Sequence, residues 1–167
     1  MWRFRFAALL FICCASSYAA QGFYAAAEDW VTSKHEIDGK TAAVRINVAL
    51  PAMGTKQEFP RTLRFIAPFN THNDRPFPER LDREGLEKIE EAIENKLVDE
   101  GIAIFASIIT VNNSREFLLY VGDTERAQIV AERLVADFTS HKLSFRLESD
   151  PDWDAWYRYS REASTPR

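Results

Sequence analysis

Between Arg61 and Ser149 the apolar residues change period from two to about 3.6 and back, in an order that few chains can satisfy. Arg61 to Phe69 alternates, with Leu63, Phe65 and Ala67 on one side. A helical stripe follows: Leu86, Ile89, Ile93 and Leu97 recur on one face, Glu87, Lys88, Glu90, Glu91 and Glu94 lie opposite, and Gly101 stands where a helix ends in a left-handed turn. Asp82 is the expected N-cap of this helix, which runs to about Glu100. Two strands, Ile102–Val111 and Arg115–Val121, flank a turn at Asn112-Asn113-Ser114. Asp123 then caps a second helix with Ala127, Val130, Ala131, Leu134 and Phe138 as its buried stripe, and Lys142 to Glu148 alternates again through Leu143, Phe145 and Leu147. Strand, helix, strand, hairpin, strand, helix, strand is the order of a split βαβ unit. The expected class is α+β, with a ferredoxin-like βαββαβ core.

Two additions flank that core. Trp30 to Glu36 starts a strand, Asp38-Gly39 favours a type I′ turn, and Thr41 to Leu50 alternates with Ala42, Val44, Ile46, Val48 and Leu50 on one side. At the other end, Pro151 is a suitable first residue for a short aromatic helix, Asp152 to Ser160. The domain is expected to span 30–160, with a lead-in over 20–29 and a loose polar tail over 161–167. The strand Arg115–Val121 is apolar on both sides, Phe117, Leu119 and Val121 against Leu118 and Tyr120. A sheet with one wet face should alternate, and exposed apolar patches beyond a few hundred Å² are rare. The face of Leu118 and Tyr120 is therefore expected to be covered, either by a second subunit or, the preferred reading given the apolar row of Thr41 to Leu50, by the N-terminal hairpin and terminal helix of the same chain.

The first residues point to an address. Arg3 and Arg5 precede an unbroken apolar run from Phe6 to Cys14, and small residues follow. This is the pattern of a secretory signal over 1–19, cut after Ala19 or, as a second choice, after Ala27. The run is too short for a membrane span, which needs about 20 apolar residues. Both cysteines, Cys13 and Cys14, fall inside it. The mature chain is thus expected to lack thiols and a membrane anchor, and to be periplasmic or secreted from a bacterium. Cleavage would take Arg3 and Arg5 from the 21 basic residues and none of the 25 acidic ones, leaving a balance of −6. Such a surface does not suit nucleic acid.

Three blocks carry a resemblance. They are Trp30, the run Ser114-Arg115-Glu116-Phe117-Leu118-Leu119-Tyr120, and Asp150-Pro151-Asp152-Trp153-Asp154-Ala155-Trp156-Tyr157, with the helix Leu86 to Ile93 in the same order between the first two. Together they resemble the DUF695 family, a bacterial domain of unknown function, over about Trp30 to Tyr159. Such domains are similar to the RraB family of ribonuclease E regulators, which are α+β protein-binding modules. The resemblance implies a non-enzymatic binding protein and brings no catalytic residues with it. A secretory signal departs from that analogy, because an exported protein does not meet a cytoplasmic ribonuclease.

Chemistry-bearing patterns are sparse. His35, His72 and His141 show no metal-ligand spacing, and His72 with Asp74, or His35 with Asp38, supplies at most two ligands where zinc needs three or four. Asp150, Asp152 and Asp154 imitate a calcium loop, but Ala155 and Arg161 stand where glycine and glutamate are required, so they read as a cap for the terminal helix. No nucleophile motif occurs, and six scattered glycines make no phosphate loop. No metal or cofactor is expected. The candidate recognition residues are Arg115, Glu116, Tyr120, Trp153, Trp156 and Tyr157, with Arg158 and Arg161 beside them. Arg115 and Glu116 also read as a strand-end ion pair, and Trp153 as core. The expectation is an exported binding module, a monomer or weak homodimer, whose partner is a protein or a small ligand. A small hydrolase using paired carboxylates is the alternative, since such pairing is spatial.

Overall fold

The computed structural model describes residues 29–53, 56–71 and 77–163. The expected signal, both cleavage sites and most of the lead-in lie outside the described residues, as do His72 and Asp74. In chain order the elements are β1 (Trp30–Ile37), β2 (Lys40–Asn47), β3 (Arg61–Pro68), α1 (Arg80–Ile93), β4 (Ala103–Val111), β5 (Ser114–Val121), α2 (Thr124–Asp137), β6 (Ser144–Ser149) and α3 (Asp154–Ala163). One six-stranded antiparallel sheet has the order β1-β2-β4-β5-β3-β6.

The strands alternate, so the sheet has two distinct faces. On one, Leu63, Phe65, Phe105, Phe117 and Leu119 meet the stripes of α1 (Leu86, Ile89, Ile93) and α2 (Ala127, Ala131, Leu134), all buried. Leu97, on a π-helical turn that continues α1 from Glu94 to Val98, closes the same core, while Val130 and Phe138 are only partly buried at its margin. On the other face Val44, Ile46, Ile104, Leu118 and Tyr120 pack against Trp153 and Trp156. Leu118 and Tyr120 have no exposed surface. The cover is intramolecular, as expected, but α3 with Trp153 supplies it; the N-terminal hairpin does not fold over this face and instead extends the sheet, β2 pairing with β4.

Local chemistry accounts for the joints. Asp38 and Gly39 both take positive φ (51° and 75°), as a type I′ turn requires. The β4–β5 turn is likewise a two-residue turn, Asn112 and Asn113 at φ 51° and 58°, so Ser114 belongs to β5 and not to the turn. Asparagine bears the left-handed region better than most residues. Asn47 ends β2: buried, it donates to the Phe105 carbonyl (3.1 Å) and accepts from Ala49 N (3.1 Å), next to the register shift between Phe105 and Ser107. The Asp123 side chain accepts from Arg126 N at 3.0 Å and caps α2.

Several boundaries differ from the sequence reading. Helix α1 starts at Arg80, and Asp82 lies in its first turn instead of capping it, where its charge still favours the amide end. His141 occupies the space above Gly85 and approaches Asp82 at 3.7 Å. Strand β6 begins at Ser144, because Lys142 takes φ +46° at the end of a 3₁₀ turn. Helix α3 starts at Asp154 and not at Asp152, because Trp153 has φ +62° and cannot continue a right-handed helix. It extends to Ala163, so the first residues of the expected polar tail are helical. Among the described residues no helix is long and apolar enough to cross a membrane.

Candidate functional site

The six candidate residues do not form one patch. Consecutive residues of a strand face opposite ways, and Arg115 and Glu116 separate accordingly. Arg115 sits on the α1 side, where Nε donates to Thr110 Oγ1 at 3.1 Å. Burial pulls its pKa below the ordinary arginine value and nearby Arg45 adds to this, against the opposing pull of Glu90. Arg45 itself pairs with Glu90 at 2.8 Å and lies over the Trp30 ring at 5.2 Å. Glu116 faces the α3 side, and its partner is Arg64 of β3, Nη1 to Oε2 2.8 Å.

Tyr120, Trp153 and Trp156 are buried and organise the seat of α3. Tyr120 Oη donates to Asp150 Oδ2 (2.7 Å) and accepts from Trp156 N (3.1 Å). The Asp150 carboxylate also accepts from Asp154 N (2.8 Å) and Ala155 N (3.0 Å), so it caps α3 and holds the Tyr120 hydroxyl at once. Burial, and then the bond to Asp150, push the Tyr120 pKa well above its ordinary value. Trp153 Nε1 donates to the Phe59 carbonyl and Trp156 Nε1 to the Asn47 carbonyl, both at 2.9 Å. The capping role read for the aspartate cluster thus falls to Asp150. Tyr157 is half-buried beneath Lys56, whose Nζ lies 4.6 Å from the ring centroid. It lines a hollow of about 490 Å³ with Val48, Trp156, Ser160 and Arg161.

Beyond α3 the same face forms a groove of about 590 Å³. Its outer end is the β1–β2 tip, with Glu36, Ile37, Asp38 and Lys40. Ile109 and Val111 of β4 and Ser114 and Glu116 of β5 line its middle, and Arg64 of β3 with Arg158 and Tyr159 of α3 lines its inner end. A second hollow of about 370 Å³ shares Arg64, Arg158 and Tyr159 and continues to Thr62, Glu148 and Asp150. The Arg64–Glu116 pair is mostly shielded, with side-chain exposures of 17% and 24%. Burial opposes the charge on Arg64, but the bonded Glu116, together with nearby Tyr159 and Glu148, holds the guanidinium pKa above its ordinary value. Arg64 Nε and Ser114 Oγ are buried with no hydrogen-bond partner, although such groups are usually satisfied.

Of the six candidates only Glu116 lines this groove; Arg158 was legible beside the terminal aromatics, but Arg64, Lys40 and Ser114 were missed. The available signal was Arg64 itself, a charge on the outward side of a strand whose neighbour β5 is apolar on both sides. Among the described residues no three His, Cys, Asp or Glu side chains are grouped to hold a metal ion.

The fold and this groove define an α+β protein with a charged groove on one sheet face. The chain belongs to the family of unknown function DUF695, whose model matches residues 28–159. No curated protein and no solved structure matches it.

Proposed function

We propose that this is an exported, non-enzymatic binding module that takes its ligand in the groove between the β1–β2 tip and α3. The observation that carries the reading is the Arg64–Glu116 pair. Placing two charges on a sheet face costs desolvation that an apolar pair would avoid, and here they form the floor of an open groove instead of a sealed core. Groove size and the mix of apolar and polar lining suit a small ligand or a peptide segment. The order β4-β5-β3-β6 supports a ferredoxin-like core, since a split βαββαβ unit with its first strand between its fourth and third has this permutation. Such cores are scaffolds whose sites must be argued from the residues present. The hydrolase alternative needs two carboxylates on one scissile bond, and the carboxylate at the floor, Glu116, is engaged by Arg64.

The test is an NMR titration of the protein with a panel of amino acids, short peptides, monosaccharides and dicarboxylates. Amide shifts clustered at Asn112, Ser114, Glu116, Arg158 and Tyr159 support the reading. No clustered shift with any of these probes at millimolar concentration refutes it, and turnover of a probe would favour the hydrolase. Export is tested separately by N-terminal sequencing, which should find the cut after Ala19 or Ala27; exported protein still beginning at Met1 would overturn it.

A further inference from the structure

An open six-stranded sheet leaves two edge strands, β1 and β6. Unpaired edges attract other strands unless charge, proline or a covering element protects them. On β1 the α1-side positions after Trp30 are Thr32, Lys34 and Glu36, all polar and exposed, with the lysine at mid-strand. β6 differs. Its Phe145 and Leu147 pack on the α1–α2 core but are only half-buried, as are Val135 and Phe138 of α2, the helix that contacts β6. The core is thus open along this edge. We propose that β6 pairs antiparallel with β6 of a second copy of this chain, which closes it. This pairing does not depend on what the groove binds.

Backbone and charge together select the register. Asp150 N donates to the Pro60 carbonyl at 2.9 Å, in line with the β3–β6 pairing. By alternation Glu148, Arg146 and Ser144 turn their backbone groups to β3, and Ser149, Leu147 and Phe145 turn theirs outward. A two-fold pair must set outward residues opposite outward ones, so its axis falls at a residue. At Arg146 the axis would oppose two arginines. At Leu147 it sets Arg146 opposite Glu148 of the partner subunit, and does so twice. Both axes overlap about five residues, so charge selects Leu147. Like charges then lie only on the diagonals, farther apart. Arg146 is exposed and forms no ion pair among the described residues. Its neighbour across β3–β6 is Arg64, a like charge already paired with Glu116.

At this axis Leu147 meets Leu147 of the partner subunit, and the two α2 helices run antiparallel on the same sheet face. The flank of α2 turned to this edge lies opposite the Lys96–Asp137 pair and carries Gln128, Glu132 and Val135. Glu132 is the charge on it; Gln128 bonds it at 3.0 Å, and its exposure lets solvent screen it from its copy. The second copy also reaches the candidate site. Glu148 lines the hollow behind the groove with Asp150, Asp154 and Arg158, and Arg146 of the partner subunit brings a cation to that carboxylate-rich end.

Sedimentation of the exported protein should show a monomer–dimer equilibrium with a dissociation constant on the order of 10–100 μM, as suits a small interface of one strand and one helix flank. Arg146→Glu opposes like charges at both positions and should weaken the dimer on the order of tenfold or more, as should Glu148→Arg. Combining the two should restore it. Leu147→Cys, with Cys13 and Cys14 changed to serine if the protein retains them, should give a disulfide dimer on mild oxidation, because the axis holds the two Cα atoms about 5.5 Å apart. Ser149→Cys should not, since its two copies lie roughly 14 Å apart. Unchanged circular dichroism and melting would show that the exposed-site variants fold, and the charge exchange decides alone if Leu147→Cys does not fold. A monomer up to about 1 mM overturns the proposal. So does a dimer indifferent to Arg146→Glu, one that the combined exchange fails to restore, or one that cross-links at Ser149→Cys and not at Leu147→Cys.

Discussion

Tyr120→Phe isolates one hydroxyl on which the seating of α3 depends. The oxygen donates to the Asp150 carboxylate at 2.7 Å and accepts from Trp156 N at 3.1 Å, and the ring has no exposed surface. The ring stays and packs as before against Trp153, 5.0 Å between centroids, so no cavity larger than an oxygen is made. Two losses remain. A hydrogen bond to a charged group contributes about 1.5–3 kcal/mol, and a buried N–H left without a partner costs about 1–3 kcal/mol. The sum is on the order of 3 kcal/mol, with the lower part of the range favoured because Asp150 keeps its bonds from Asp154 N and Ala155 N. Urea unfolding followed by tryptophan emission measures it, since Trp153 and Trp156 are both buried. With m between about 1 and 3 kcal/mol per molar, the midpoint should fall by about 1 M or more at unchanged m. Asp150→Ala should be coupled to it, with an interaction energy above about 0.5 kcal/mol in the double-mutant cycle. A Tyr120→Phe shift under about 0.5 kcal/mol, or additive single changes, would show that the hydroxyl is not what anchors the helix.

Three further outcomes follow from other parts of the molecule. Ile93→Ala, at a fully buried position between α1 and the sheet, should cost about 2–5 kcal/mol in chemical denaturation, and a loss within the surface range of about 0.5 kcal/mol would contradict the packing. Gly85→Ala would place a Cβ 2.2 Å from the His141 ring, so it should destabilise by about 1–3 kcal/mol, and adding His141→Ala should recover part of that loss; no recovery would mean the clash is not with this ring. The raised pKa of Tyr120 has a sign: its protonated form is favoured in the folded state, so its contribution is complete below the unfolded value of about 10 and is lost as pH rises past it. Thermal or urea stability of the protein should thus fall more steeply above about pH 10 than that of Tyr120→Phe, and parallel curves would refute it.

Much of the architecture was legible because it rests on local rules. The stripes Leu86–Ile89–Ile93–Leu97 and Ala127–Ala131–Leu134 are buried where their period placed them, and Asp38-Gly39 makes the turn its backbone preference demands. The doubly apolar β5 announced a second covered face, and α3 covers it. Boundaries were less legible where a residue took an unusual conformation for a tertiary reason. Trp153 adopts φ +62° while its indole reaches the Phe59 carbonyl, 94 positions away in sequence, and no short-range pattern encodes that bond.

The site was the least legible part, because it is made of residues whose neighbours are distant in sequence. Arg115 and Glu116 are adjacent in the chain and therefore opposed in space, since a strand sends successive side chains to opposite faces. Glu116 instead meets Arg64, 52 positions earlier, a pairing that exists only because β3 lies beside β5. Sequence alone determined the order of the elements, the two apolar faces, the Asp38-Gly39 turn and the Asp123 cap, because each depends on neighbours within a few positions. The tertiary structure decided which charges are spent and which line the groove, because strand order and the placement of α3 set which faces meet, and Coulomb attraction and desolvation act on distance in space, not on distance along the chain.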